Sequence, residues 1–349
     1  MQLSPDYRRI LKTLRHEEPD RVPLAEFLID PPVKRAVLGR PVRDVASDVE
    51  FWHKAGYDYI FLWPEYPLPG VNKEDLGQST TDERVTARPH TAGTAGKGRI
   101  SSMADVEAYP WPNPETIDFS QWAEAARLLP AGMGIMSGET GTLARCWLLT
   151  GFEQFSYMLY DQPDVIKALF DHIGSLQCAV IRRLVKLDKL FAIWNCCDMG
   201  YTEGLMISPK HMRKYLFPWL EEMISIAHAA GKPFLLHSDG RLYDILEDLL
   251  AMGIDALNPI EPKGMDINDL KARYGRRLTL IGNIDMGFTL VRGTPDDVRA
   301  EVRQRIKDLA PGGGYAVSSS NSIADYVPVE NYDAMRQATF DYGAYPINL

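Results

Sequence analysis

Residues 231–261 read GKPFLLHSDGRLYDILEDLLAMGIDALNPIE. A short apolar run, 233–237, stops at the polar turn His237-Ser238-Asp239-Gly240. An amphipathic stretch, 242–252, follows, and a second apolar run, 256–260, stops at Glu261. Strand, helix and strand in about 30 residues is the βαβ unit, and it predicts two parallel neighbours joined by a helical crossover.

The same alternation extends in both directions. Further strands are expected at 22–27, 57–63, 132–137, 190–196, 278–282 and 315–318. Helix 209–230 carries Met212, Leu216, Trp219, Leu220, Met223 and Ile226 near a 3.6-residue period, and 265–274 and 295–309 have the same character. Apolar strands that each end in polar residues predict an α/β fold of the (β/α)8 TIM-like barrel type. The site is then expected at the C-terminal strand ends. The rival is an open doubly wound sheet, but the sequence holds no G-x-G-x-x-G or phosphate-loop segment to support a nucleotide-binding version. The glycine cluster at 93–98, GTAGKG, lacks a strand–helix frame and reads as a loop or hairpin. A single domain over 1–349 is expected, with 64–120 as an irregular insertion. That stretch carries Pro64, Pro67, Pro69, Pro89, Pro110, Pro112 and Pro114. Residues 81–87 and 97–103 are expected to pair within it as a rim or lid.

Composition narrows the class. The 349 residues are 45% hydrophobic and 24% charged, as in a folded globular chain. A formal charge of −9 argues against a nucleic-acid partner. No apolar run of about 18 residues suggests a membrane span. The first residues, MQLSPDYRRILKTLRHEEPD, are charged throughout, so no secretory leader is expected. Cys146, Cys178, Cys196 and Cys197 show no disulfide or zinc-finger spacing, which fits a cytoplasmic protein.

The strand ends collect carboxylates: Glu26, Glu65, Glu139, Asp198, Asp239, Glu261 and Asp285, with Glu203 nearby. Such a rim suits a metal ion or a cationic ligand better than a polyanion. His237 and Asp239, two apart in a strand-end turn, can face one ion. Alternatively, Ser238 or Asp239 caps the following helix. Only one of Cys196 and Cys197 can face the lumen, as a ligand, a nucleophile or core filler. Asp198 has no apolar reason to stand before Met199-Gly200. Glu203 and Glu261 read as ligands, acid/base groups or salt-bridge partners. The other histidines read as solvated.

Several segments together resemble uroporphyrinogen decarboxylase-like proteins. They are RRILKTLRHEEPDRVP (8–23), Asp198-Met199-Gly200, Ile207-Ser208-Pro209, GKPFLLHSDG (231–240), GIDALNPIEP (253–262) and GGGYAVSSSNSIADYVPVENYDAM (312–335). The resemblance implies a (β/α)8 barrel and two chemistries: decarboxylation of uroporphyrinogen acetates, or zinc-dependent methyl transfer to or from a corrinoid. The decarboxylases carry an arginine-rich M-R-Q-A-G-R segment, where this chain has LAEFLIDPPVKRAVLG (24–39) with Glu26 and Asp30. They also carry a histidine in the last strand-end loop, where this chain has Ser318–Asn321. The methyltransferases hold zinc with an H-x-C pair and a later cysteine. Here His237 matches the first ligand, Asp239 stands at the second, and the last loop offers serine and asparagine.

The resemblance therefore implies most closely a methyltransferase-like member. His237, Asp239 and Glu203 would hold zinc. Asp198, Glu261 and Asn321 would be catalytic, and Glu26, Glu139, Asn283 and Ser319 would bind substrate. The expected partners are a small methyl donor, such as a methoxylated aromatic, and a corrinoid protein; a homodimer is compatible with the acidic barrel. One alternative is a carboxy-lyase with an arginine-lined cleft drawn from Arg35, Arg84, Arg99 and Arg145. A second is a barrel that binds a ligand or a corrinoid protein without turnover.

Overall fold

The computed structural model describes residues 4–71 and 98–349. Among the described residues, nine strands form two sheets: β1 (Tyr59–Leu62), β2 (Gly134–Ser137), β3 (Leu190–Cys196), β4 (Gly200–Tyr201), β5 (Gly204–Leu205), β6 (Phe234–His237), β7 (Ala256–Asn258), β8 (Thr279–Ile281) and β9 (Tyr315–Ala316). Seven of them make one sheet in the order β1-β2-β3-β6-β7-β8-β9. Each neighbouring pair in it is parallel. β4 and β5 form a small antiparallel hairpin of their own.

The helices lie between the strands, so both faces of the sheet are covered. β3, L-F-A-I-W-N-C, is buried at every position, as expected of a parallel strand under helices on one face and barrel core on the other. Helix Pro295–Leu309 starts at a capping box between Thr294 and Asp297, with proline in its first turn. Helix Pro163–Leu184 also opens on proline and buries a long apolar stripe. The crossover at 209–230 is helical throughout but includes a wider π-helical turn, Met212–Leu216, before Phe217–Ala229.

Residues 22–27 do not form the strand expected from the sequence. They supply the remaining stave through isolated bridges, Leu24 with Val317 and Ile29 with Ile323. The Ala25 N–H donates to the Val317 carbonyl at 2.9 Å, and the Val317 N–H donates to the Pro23 carbonyl at 3.0 Å. Pro23 has no N–H to extend that ladder. On the other side the stave meets a side chain. The Glu26 N–H and carbonyl both bond the Tyr59 hydroxyl, at 2.8 and 2.6 Å. The result is a curled parallel sheet with eight staves, a TIM-like α/β barrel in a single domain.

The base of the barrel is sealed by charge. Arg9 donates to Asp58 at 2.5 Å and to both oxygens of Asp20, while Arg21 reaches Asp58 at 3.5 Å. The opening segment 8–23 thus pins the chain's start to the foot of β1.

Of the expected pairing in the insertion, 81–87 and residue 97 lie outside the described residues, as does most of the 93–98 glycine cluster. Residues 103–108 form helix Met103–Ala108, capped by Ser102. Among the described residues, no helix is long and apolar enough to cross a membrane.

Candidate functional site

The parallel register aligns Cys196, His237 and Asn258 at the ends of β3, β6 and β7. The two loops that follow β3 and β6 are tied together. The Met199 N–H donates to Ser238 Oγ at 3.0 Å, and the Asp239 N–H donates to Asp198 Oδ1 at 3.3 Å. Gly240, at φ 82°, lies against the backbone of Tyr201, where a Cβ would sit 2.3 Å from the Tyr201 nitrogen. Only glycine allows that approach. Ser238 and Asp239 are occupied by these contacts and do not cap a helix. The next helix begins later than expected, at Leu246.

These ties gather Asp198, His237 and Asp239, whose ligand atoms all lie within 4.8 Å of one another. His237 Nε2 is 3.5 Å from Asp198 Oδ1 and 3.5 Å from Asp239 Oδ1. His237 Nδ1 lies 2.6 Å from Asn258 Oδ1. Asn258 Nδ2 donates to the Ile281 carbonyl at 3.1 Å, so the oxygen of that amide faces the ring. Nδ1–H therefore donates to Asn258, and Nε2 faces the two carboxylates. Asp239 Oδ2 accepts from Asn321 Nδ2 at 2.7 Å, while its buried Oδ1 has no hydrogen-bond partner. Burial, then repulsion from Asp198, pushes the Asp239 carboxyl up to about 7.

One imidazole nitrogen and two carboxylates, one of them with an unsatisfied buried oxygen, are a fitting donor set for zinc or a similar divalent cation. Among the described residues the cluster contains no thiolate. Cys196 has Asp198 and Asp239 as electrostatic neighbours, but burial raises its thiol well above the usual range. Cys197 faces Thr142 and Leu143 at the start of helix Thr142–Thr150, and burial pushes it up to about 12.

The other expected residues are distributed more widely. Glu203 stands exposed at the tip of the β4–β5 hairpin, outside the cluster, and Asp198 occupies the place expected for it. The hairpin reverses the chain, so proximity in sequence does not bring Glu203 inward. Glu261 is half-buried, with Thr202 Oγ1 at 3.4 Å. Glu26 is fully buried and faces the last strand-end loop rather than an open cleft. It accepts from the Ser319 N–H at 2.6 Å and the Ser319 hydroxyl at 3.1 Å. Burial raises Glu26 to about 8. Asn283 is buried and donates to the Ile260 carbonyl at 2.8 Å. Glu139 is buried in an ion pair with Arg145 at 3.3 Å and accepts from Tyr66 at 2.7 Å. Of the histidines expected in solvent, His211 is buried, against Tyr160 and Tyr215.

Two features were not anticipated from the sequence. Asn258 is one; its only local signal is an amide ending the apolar run Ala256–Asn258. The other is an aromatic wall. The Phe27 ring lies 4.4 Å from His237, 6.1 Å from Trp63 and 5.6 Å from Trp194, centroid to centroid. Phe27, Leu62 and Trp63 also line a recess of about 120 Å³ between the first stave and β1, together with Lys34 and Asp48. The Trp63 indole N–H is buried without a partner.

A family profile described as Uroporphyrinogen decarboxylase (URO-D) matches residues 89–342. Proteins named uroporphyrinogen decarboxylase from Geobacter sulfurreducens and Pseudomonas aeruginosa are 26% identical over 249 residues and 27% identical over 262 residues. The first alignment covers 66% of this chain and 68% of the relative, the second 70% of each. A solved methyltransferase from Methanosarcina mazei superposes with a TM-score of 0.69 at 20% identity, over 96% of this chain and 98% of its own, a likeness of fold. With three-quarters of its length matched by that profile, the chain belongs to the uroporphyrinogen decarboxylase (URO-D) family.

Proposed function

We propose that this chain is a metal-assisted methyltransferase that moves a methyl group from a small methyl donor to a corrinoid carried by a partner protein. The observation that carries the reading is the Asp198–His237–Asp239 cluster, whose ligand atoms lie within 4.8 Å of one another and which holds an unsatisfied buried carboxylate oxygen. Asp198, His237 and Asp239 would hold zinc. When bound, the ion supplies Lewis acidity to the oxygen of the donor.

The chain's own residues do the rest. Asn321 orients the Asp239 carboxylate through its 2.7 Å hydrogen bond. Phe27, Leu62 and Trp63 offer apolar surface in that recess to a flat ring. An aromatic methyl ether fits those features. Loss of its methyl leaves an oxyanion that must take up a proton, and half-buried Glu261, with Thr202 Oγ1 at 3.4 Å, is the acid/base group we assign to that transfer. Exposed Tyr201 in β4, and Phe288 and Tyr326 in the segments after β8 and β9, favour docking of a protein at this end of the barrel.

The second reading is a carboxy-lyase, which the names of the relatives favour. Its substrate carboxylates need cations. Of the arginines considered, Arg145 is already engaged by Glu139 and Tyr66, and Arg84 lies outside the described residues. One experiment separates the readings. Purified protein is analysed for metal, then offered a Co(I) corrinoid with an aromatic methyl ether and, separately, uroporphyrinogen. Loss of the Co(I) absorbance in wild type but not in His237→Ala is the expected outcome. Decarboxylated porphyrinogen as product, or metal-free protein with full activity, contradicts the proposal.

A further inference from the structure

A second cleft, of about 590 Å³, lies at the opposite end of the barrel from Asp198, His237 and Asp239. It is bounded by the segments that lead into β3 and β6 and by the start of helix Arg8–Leu14. Lys186, Lys189 and Lys232 line it, against one acid, Asp188. Among the described residues, no carboxylate pairs with any of the three ammonium groups. Asp188 Oδ1 instead accepts the Lys189 N–H at 2.9 Å. Lysines that follow helices often answer the helix-end carbonyls. Here other groups do so. The last carbonyls of helix Pro163–Leu184 accept the backbone N–H groups of Val185, Lys186 and Leu187, and those of helix Phe217–Ala229 accept the N–H groups of Ala230, Gly231 and Lys232. Two residues of the cleft have left-handed backbone: Gly231 at φ 67° and Lys189 at φ 56°. Glycine adopts that conformation freely, whereas a residue with a side chain pays about 1–2 kcal/mol. The Lys189 side chain therefore stands in the cleft against the preference of its own backbone. One wall is aromatic. The Tyr7 and Phe191 rings lie 5.1 Å apart, tilted by 36°. A Cβ at Gly134 would sit 2.5 Å from the Phe191 ring, so this wall is seated directly on β2.

We propose that this cleft is a second ligand site, for a small organic polyanion that carries a planar ring, of the nucleoside-diphosphate class. Three unmatched cations in one cleft of a chain with formal charge −9 call for two or three negative charges on the ligand. No arginine lines the cleft, so the fork that pairs a flat carboxylate is missing. Ammonium groups act as point charges and suit the oxygens of a phosphate chain. Half-buried Tyr7 leaves ring surface for a base to lie against. The volume is within the range of about 300–1,000 Å³ usual for small-molecule sites. The rim, with its two facing carboxylates, repels the same ligand. The cleft shares no residue with the rim cluster, so it stands whether or not the rim holds zinc.

The test titrates the full chain by calorimetry, in EDTA at low ionic strength, with three probes: ADP, pyrophosphate and adenosine. ADP is expected to bind tightest, pyrophosphate more weakly and adenosine weakest, with ADP affinity falling as salt rises. A second readout locates the site. ADP is expected to shield Lys186, Lys189 and Lys232 from acylation by an amine-reactive ester, read by mass spectrometry, and to leave the other lysines unchanged. Lys189→Gly is the decisive variant, because it frees the backbone and removes the charge together. It is expected to be at least as stable as wild type in urea, yet to bind ADP about two- to five-fold more weakly. Lys186→Glu combined with Lys232→Glu is expected to lose about ten-fold or more. No ADP binding to wild type, wild-type affinity in both variants, or shielding of other lysines instead overturns the site. Pyrophosphate that binds as tightly as ADP overturns the assignment of a ring-bearing ligand.

Discussion

The two ends of the barrel treat buried acid in opposite ways. At the base, Asp58 lies among Arg9, Arg21 and the Asp6 N–H, so its charge is matched by two guanidinium groups and a backbone donor. At the rim, Asp239 faces Asp198, a second carboxylate, and its only hydrogen-bonding side chain is the neutral Asn321. The base is an arrangement that closes a fold; the rim sets two carboxylates against a single imidazole and leaves one buried carboxylate oxygen without a hydrogen bond. Groups that remain uncompensated against the folding interest mark a site held for a ligand.

The contrast breaks most visibly in stability. Asp58→Ala strands two buried cations and is expected to lose about 3–5 kcal/mol in urea unfolding. Asp239→Asn keeps the bond from Asn321 and removes a repelled carboxylate. The metal-free protein is then expected to be as stable as wild type or more so in the same measurement. A large loss in Asp239→Asn would place the rim carboxylate with the structural acids.

A pH series sharpens the same point. Glu26 is raised to about 8, by burial against its serine bonds, and Asp239 to about 7, by burial and Asp198. In the unfolded chain both titrate near the ordinary carboxylate range, around pH 4. The folded state therefore binds these protons more tightly. The stability that these two groups contribute to the metal-free protein is full below about pH 4 and is lost as pH rises toward 8, by a few kcal/mol in all. Glu26→Gln is expected to flatten the part of that fall between pH 7 and 8, read by urea midpoints across the range. A flat wild-type profile would contradict the uncompensated burial of Glu26.

The smallest effect concerns sulfur. Cys196 stands beside the cluster as a protonated thiol. Cys196→Ala is expected to change Co(II) affinity by less than about threefold, because a neutral thiol contributes little as a ligand. A ten-fold loss would make Cys196 a ligand and the site a mixed thiolate one.

How far the sequence carried these conclusions depended on range. β3 is legible to the residue because a continuous apolar run buried on both faces needs no outside information, and helix Pro295–Leu309 announces itself by its capping box and proline. The His237–Asp239 turn was legible from two ligand types at a strand end. The first stave was not a full strand, since Pro23 breaks its ladder and its bridge partners, Val317 and Ile323, are hundreds of residues away. Glu203 was misplaced because a two-residue-stranded hairpin turns it outward. Asn258 was missed because its meaning lies in register: only the pairing of β6 with β7 sets it against His237.

The central claim is that the unmatched carboxylates of the rim hold a metal ion. Zinc titration of the metal-stripped full chain by calorimetry, for wild type beside Asp239→Asn and Asp58→Asn, tests it most directly. The account requires one zinc per chain in wild type and in any folded Asp58→Asn protein, with affinity lost at least about 100-fold in Asp239→Asn. Zinc that fails to bind wild type, or binds Asp239→Asn equally well, contradicts it.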